Sequence, residues 1–208
     1  MLHAPSYETD HKDALAQDWA HLPIPKDRQL FDALAGLGDT VALLLDPQAD
    51  ADPVFEETLG PEVARSLGVV RKSGGASVAE SDLAVTISYF GAAKGRWVER
   101  AFAPAEPTLP AFGTGTGNLY INDEVCFGNV PEAVWQYELG GYPVLKKWLG
   151  YRRSDGANGR PLSLAEARHF RSMVQRLAAL LVLHDRLNAA YEQASADAFT
   201  AEELGLRT

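Results

Sequence analysis

Residues 135–153 read WQYELGGYPVLKKWLGYRR, and the shape assigned to this stretch sets the frame for the whole chain. It holds two of the four tryptophans, three of the seven tyrosines, a Gly140-Gly141 pair and two basic doublets, Lys146-Lys147 and Arg152-Arg153. One reading is a Gly-Gly-Tyr-Pro turn that opens a short amphipathic helix. Val144, Leu145, Trp148 and Leu149 then face a core, and the lysines face water. Pro143 suits the first turn of such a helix, where its missing N–H would have been unpaired anyway. The other reading is that basic doublets beside aromatics meet phosphates or bases. Composition alone leaves both open.

Upstream, the pattern is that of strands. Val69–Lys72 and Leu83–Phe90 are β-rich, with a flexible loop, Ser73–Ser77, between them. Val85, Ile87 and Tyr89 alternate with Thr86, Ser88 and Phe90, which predicts a half-buried strand. Lys94-Gly95 reads as a turn into a second strand, Arg96–Phe102, completing a hairpin. A proline-rich connector, Pro104–Pro110, leads to the glycine-rich Gly113–Gly117. Leu119–Ile121 then turns at Asn122-Asp123 into Val125–Phe127, a further hairpin.

On either side of this section the spacing is helical. A short stretch around His11–Trp19 is ended by Pro23 and Pro25. In Lys26–Leu45, Leu30, Leu34, Leu37, Val41 and Leu44 recur at steps of four and three. Asp50–Pro53 breaks the chain and Val54–Leu67 continues as another helix. A long helix begins at Ser163, which forms a capping box with Glu166. Its seam is Phe170, Met173, Leu177, Leu180, His184, Leu187 and Tyr191, at alternating steps of three and four. The fold class is therefore α+β: a helical body from the N- and C-terminal thirds, with a small antiparallel β-sheet and loops inserted between. Residues 1–50 read as a helical packing segment and 51–208 as the main domain, in one compact unit with 26–45 packed on the 163–194 helix. The alternative is that the long helix docks on another domain or subunit.

A chain of 208 residues with 46% hydrophobic and 23% charged residues buries an ordinary globular core. One cysteine, Cys126, excludes an internal disulfide framework and a cysteine cluster for zinc or iron–sulfur. No apolar run reaches the length of a membrane span and no signal peptide opens the chain, so a cytoplasmic location with no membrane partner is expected. The net charge of −9 resides entirely in residues 1–60, which hold twelve Asp/Glu and three Lys/Arg. Two later stretches are locally basic, with six cations against three acids in 65–100 and nine against four in 138–186. Such segregation is compatible with one DNA-binding face.

The run GNLYIN…FGNVPEAVWQYELGGYPVLKKWLGYR, Gly117–Arg152, resembles the C-terminal specificity domain of type ISP restriction–modification enzymes. In those single-chain proteins nuclease, ATP-driven translocase, adenine methyltransferase and target recognition domain follow one another. The opening LHAPSYETDHKDALAQDWAHLPIPKDRQLFDALAGLGDTVALL is similar to their segment between methyltransferase and recognition domain. His21 departs from the pattern, since an arginine is expected there. The resemblance is weakest over Asp50–Pro110. Met1 and Leu2 fall inside it, which implies a piece of a longer protein.

The resemblance implies DNA target recognition, with double-stranded DNA and the parent enzyme's methyltransferase and translocase domains as partners. On its own the chain is expected to be no enzyme and to hold no cofactor; S-adenosylmethionine would bind the partner methyltransferase domain. The residues agree. PAFGTGTGNLYI, Pro110–Ile121, looks like a methyl-donor loop, but a proline-rich connector precedes it and a strand follows. No Asn-Pro-Pro-Tyr or Asp-Pro-Pro-Tyr tetrapeptide is present, and the five histidines lack metal-ligand spacing.

What remains is recognition, for which cations position phosphates and amide or planar groups read base edges. The candidates are Lys146, Lys147, Arg152 and Arg153, then Arg71, Lys72, Lys94 and Arg96, with Asn118 for base reading. The carrying loops are Ser73–Ser77, Lys94-Gly95 and Thr114–Asn118. Gly140, Gly141, Tyr142, Trp135 and Trp148 are expected to build the scaffold, through close backbone approach and an aromatic core. Two other readings stand beside this one. One is a protein–protein coupling module with no DNA contact; the other is a degenerate methyltransferase fragment that retains cofactor affinity.

Overall fold

A computed structural model describes residues 1–16, 20–88, 96–101, 106–154 and 159–205, with the backbone alone of Arg96 and Ala101. In chain order the helices are α1 (Pro5–Leu15), α2 (Arg28–Leu45), α3 (Asp52–Leu59), α4 (Pro61–Ser66), α5 (Glu132–Trp135), α6 (Val144–Gly150) and α7 (Leu164–Ala196). The strands are β1 (Val69–Lys72), β2 (Arg96–Ala101), β3 (Gly115–Tyr120), β4 (Val125–Pro131), β5 (Glu138–Leu139) and β6 (Tyr142–Pro143). The chain is α+β. Its contacts divide it into two units, Met1–Val54 with Val182–Thr208, and Phe55–Leu181.

The first unit is helical. The expected seam of α2 buries Leu34, Leu37, Val41 and Leu44, and Asp27 caps the helix by accepting from the Gln29 N–H at 2.7 Å. α1 starts at Pro5, six residues before the predicted stretch, because Pro5 itself serves as a first-turn residue; residues 17–19 lie outside the described set. Tyr7 is fully buried and meets Tyr191 edge-on at 5.3 Å, while the Tyr191 hydroxyl donates to Asp10 Oδ2 at 3.0 Å. The C-terminal segment returns past the start of α2. Lys26 N–H donates to the Asp197 carbonyl at 3.0 Å and Phe199 N–H to the Ile24 carbonyl at 2.8 Å.

The second unit is built on a four-stranded antiparallel sheet of order β1-β4-β3-β2. Its β3–β4 hairpin forms where predicted. Asn122 Oδ1 accepts from the N–H groups of Glu124 and Val125, and its Nδ2 donates to the carbonyls of Asp82 and Ala84. On one face of the sheet Phe127 packs on Phe170 of α7 at 4.3 Å, and Trp148 of α6 reaches the same ring at 5.3 Å. The capping box of α7 forms as expected. Glu166 N–H donates to Ser163 Oγ at 3.1 Å, and Ser163 N–H donates to Glu166 Oε2 at 2.9 Å. Further along α7, Arg171 donates to the carbonyls of Leu67 and Arg65, and Gln175 to that of Ala64, which supplies partners for the end of α4.

Four expectations need correction. Val54–Leu67 is two helices, because Gly60 has φ +78° and Pro61 cannot continue a helix through it. Residues 83–88 form no strand. Their backbone groups bond loops instead: Ser154 N–H donates to the Val85 carbonyl, Leu162 N–H to that of Leu83, and Thr86 N–H to that of Ile121. Leu83 and Val85 are buried there, so the alternation marked burial without ladder pairing. β2 accordingly pairs with β3, Trp97 opposite Leu119, and not with 83–88; residues 89 and 90 and the proposed Lys94-Gly95 turn lie outside the described residues. Finally, Thr116, Gly117 and Asn118 sit in β3 and are not a flexible loop. Gly117 is there because the Trp97 ring lies across it, and a Cβ at 117 would fall 2.4 Å from that ring.

Candidate nucleic-acid interface

The central stretch folds as the helix reading expects, with one rearrangement. β5 and β6 form a hairpin whose turn is Gly140-Gly141, at φ +57° and +77°. Both residues left-handed is the two-residue hairpin geometry that favours glycine. A Cβ at either position would meet nothing within 4 Å, so backbone conformation, not close approach, requires them. The hairpin delivers Pro143 as N-cap of α6, which buries Leu145 and Leu149. Trp135 is buried as expected, but Tyr142 is 60% exposed and belongs to the surface, because the hairpin holds it out ahead of the helix.

On this scaffold three of the four central cations rest on aromatic rings. Lys146 Nζ lies 5.0 Å from the Trp135 ring centroid and donates to Gln136 Oε1 at 2.8 Å. Lys147 Nζ lies 4.3 Å from the Tyr142 ring, and the Arg152 guanidinium carbon 3.7 Å from the Trp148 ring. Each such contact contributes about 0.5–1 kcal/mol at exposed sites and holds the charge in place without cancelling it. Neither lysine has a carboxylate partner among the described residues. Arg152 is partly neutralised, since its Nε lies 3.6 Å from Glu166 Oε1. Arg153 follows it, three residues beyond the end of α6, half-buried. His169 of α7 meets Trp148 at a tilt, with ring centroids 5.9 Å apart. Burial, reinforced by the charges of Arg152 and Arg176, lowers its pKa below 6.5, so it adds no charge near neutral pH. Tyr151, 67% exposed, completes a basic and aromatic surface with Tyr142.

The other candidates lie on the four-stranded sheet. Arg71 and Tyr120 both stand opposite Cys126 in the register, and Arg96 stands opposite Tyr120. Arg71 is exposed, and its guanidinium runs across Gly128, where a Cβ would come within 2.9 Å of Nε. Asn118, two residue pairs along and opposite Val98, has a buried Oδ1 with no hydrogen-bond partner among the described residues. Lys72 points away from this group. It donates to Asp82 at 2.8 Å with Glu124 at 3.6 Å, and the Asp82 bond raises its pKa. The loop Ser73–Ser77 is exposed, with Gly74 and Gly75 left-handed. Lys94 and the side chain of Arg96 lie outside the described residues.

Two features escape a reading by pattern. Arg100 donates to both oxygens of Glu106, at 2.9 and 2.6 Å, and to Asn129 Oδ1. Asn129, itself left-handed at φ +53°, donates onward to the Ser66 carbonyl at 3.1 Å. One of the six cations in 65–100 is thus committed to holding the end of β2. The second feature is the exposure of Tyr142, which follows from hairpin geometry and leaves no mark in composition.

A family model described as the type ISP C-terminal specificity domain matches residues 1–179. The chain belongs to that family. No curated protein and no solved structure matches it. The match takes in Met1–Val54 of the first unit and all but the last two residues of the second, including α6, the β5–β6 hairpin and the sheet. Membership supports a target-recognition role within a restriction enzyme, alongside that enzyme's other domains. Among its described residues, no helix is long and apolar enough to cross a membrane.

Proposed function

We propose that this specificity domain recognises a DNA sequence directly, as the non-catalytic targeting part of a type ISP-like restriction–modification enzyme. The observation that carries the proposal is the pair Lys146 and Lys147, held over Trp135 and Tyr142 with their charges uncancelled by carboxylates among the described residues. Cations fixed on rings meet phosphates at low entropic cost, and exposed Tyr142 and Tyr151 add planar groups beside them. Arg152, Arg153, Arg71 and Arg96 extend the cationic set, and Asn118 stays in the set on its place in β3, its Oδ1 being buried. Lys94 stays in the set on its sequence position alone. Lys72, held by Asp82 and Glu124, is the weakest member. Methyl transfer to adenine and binding of S-adenosylmethionine are assigned to a partner domain, which this domain would hold in register while the base is flipped.

The test is duplex binding across a salt series for the wild-type chain and Lys146→Ala/Lys147→Ala. The double variant is expected to weaken binding about equally on all sequences and to reduce the salt slope by about 2. An unchanged slope removes both lysines from the interface. The alternative, a coupling module without DNA contact, is favoured by the acid-rich residues 1–60 and predicts no duplex binding at any salt.

A further inference from the structure

α2 presents a second apolar row beside its buried seam, and Leu34 and Val41 of the seam line the same groove. Phe31, Gly38 and Leu45 line an open groove of about 420 Å³ together with Leu2, Leu22 and Leu187. Phe31 and Leu2 are about half exposed there, and Leu22 and Leu45 nearly so. Isolated exposed apolar residues are ordinary, but a contiguous groove of them marks an interaction site. All the lining residues belong to the first unit.

The charges beside the groove say what fits it. Asp32, Asp39 and Asp46 follow Phe31, Gly38 and Leu45 by one residue each. Seven residues return a helix to within about 20° of its starting face, so Asp32 and Asp39 form an acidic row along one lip, continued at the C-cap by Asp46. All three are exposed. Among the described residues, the cation paired with any of the three is Arg28, 3.7 Å from Asp32 across open solvent, where such a pair has little strength; the groove's own lining includes Met1 and His3. Residues 1–60 as a whole carry the chain's entire net charge of −9. Phosphate and anionic lipid are repelled by this lip.

We propose that the groove of α2 receives a basic amphipathic helix from a partner protein, with leucine-type residues on Phe31 and Leu45 and Lys or Arg side chains on Asp32, Asp39 and Asp46. Gly38 lets the partner backbone approach, since a Cβ there would meet nothing within 4 Å. The helix-in-groove mode supplies the affinity through apolar anchors at i, i+3, i+4 and i+7, and the acidic row supplies the orientation. This proposal does not rest on DNA recognition.

The probe is a labelled helical peptide of about five turns, with leucines at those spacings flanked by lysines, and a matched peptide flanked by glutamates. Against the full chain, the lysine peptide is expected to bind at least about tenfold more tightly than the glutamate peptide. Gly38→Phe fills open space on a helix, so the fold is retained, and it is expected to weaken the lysine peptide by about tenfold or more. Asp32→Lys/Asp39→Lys is expected to invert the preference between peptides. Circular dichroism confirms that each variant is folded. Equal affinity for both peptides, or for wild type and Gly38→Phe, overturns the proposal, as does absence of binding. A dimer in sedimentation that Gly38→Phe dissociates would give the groove to a second copy and also overturn it. Duplex binding of Gly38→Phe, which leaves the charge unchanged, is expected to match wild type, so failure here and failure of the DNA reading are distinguishable.

Discussion

The Arg152 guanidinium carbon lies 3.7 Å from the centroid of the Trp148 ring, four residues earlier on the chain, while its Nε faces Glu166 at 3.6 Å. The planar cation therefore covers the indole from one side, and Phe170 packs near it at 5.3 Å. A lysine at 152 keeps the charge but loses the planar contact. Arg152→Lys is expected to lower unfolding stability by about 0.5–1 kcal/mol in urea titration. The salt slope of duplex binding is expected to stay within error of wild type, since the charge count is the same. A stability unchanged by the substitution would mean that the stacking contributes nothing.

Glu166 gives a pH dependence with a definite sign. Hydrogen bonds from Arg160 lower its pKa from 4.5 to about 2, helped by the N–H and hydroxyl of Ser163. A depressed carboxylate stabilises the fold above its unfolded pKa, and that contribution disappears as pH falls from about 4.5 toward 2. Glu166→Gln keeps a side chain able to bond the Ser163 N–H but carries no charge. Its stability curve is expected to lie below wild type at pH 6 and to converge with it as the pH approaches 2. Parallel curves in acid denaturation monitored by circular dichroism would contradict this.

Gly117→Ala tests the packing that determines the β2–β3 register. The new methyl would fall 2.4 Å from Trp97, whose Nε1 is tied to the Val130 carbonyl at 3.1 Å, so the ring cannot move freely. The expected cost is about 1–3 kcal/mol, with altered tryptophan fluorescence. Gly140→Ala is the comparison: the methyl there meets open space, and only the left-handed backbone resists it.

What was legible in the sequence was local. The α2 seam, the Ser163–Glu166 capping box and the turn at Asn122 each depend on residues within one or two turns, and each forms as the pattern implies. Partners distant along the chain were not legible. Alternation over residues 83–88 correctly marks buried Leu83 and Val85, yet alternation names faces and not neighbours, and loop groups from Ser154 and Leu162 bond that backbone. Lys72 and Lys146 look alike as members of basic doublets, Arg71-Lys72 and Lys146-Lys147. Asp82, brought back by the turn after β1, neutralises the first, while Trp135 merely supports the second. Glycine carries the same ambiguity. Gly117 makes room for a ring and Gly140 turns a hairpin, and spacing alone does not separate the two uses.

The central claim, direct sequence recognition by this specificity domain, is tested most directly by selecting a randomised duplex library on the purified 208-residue chain. Binding of the enriched pool is then measured at two salt concentrations. The account predicts enrichment of one asymmetric motif, bound with an affinity that falls steeply as salt rises. No enrichment, with no duplex binding even at low salt, would contradict it.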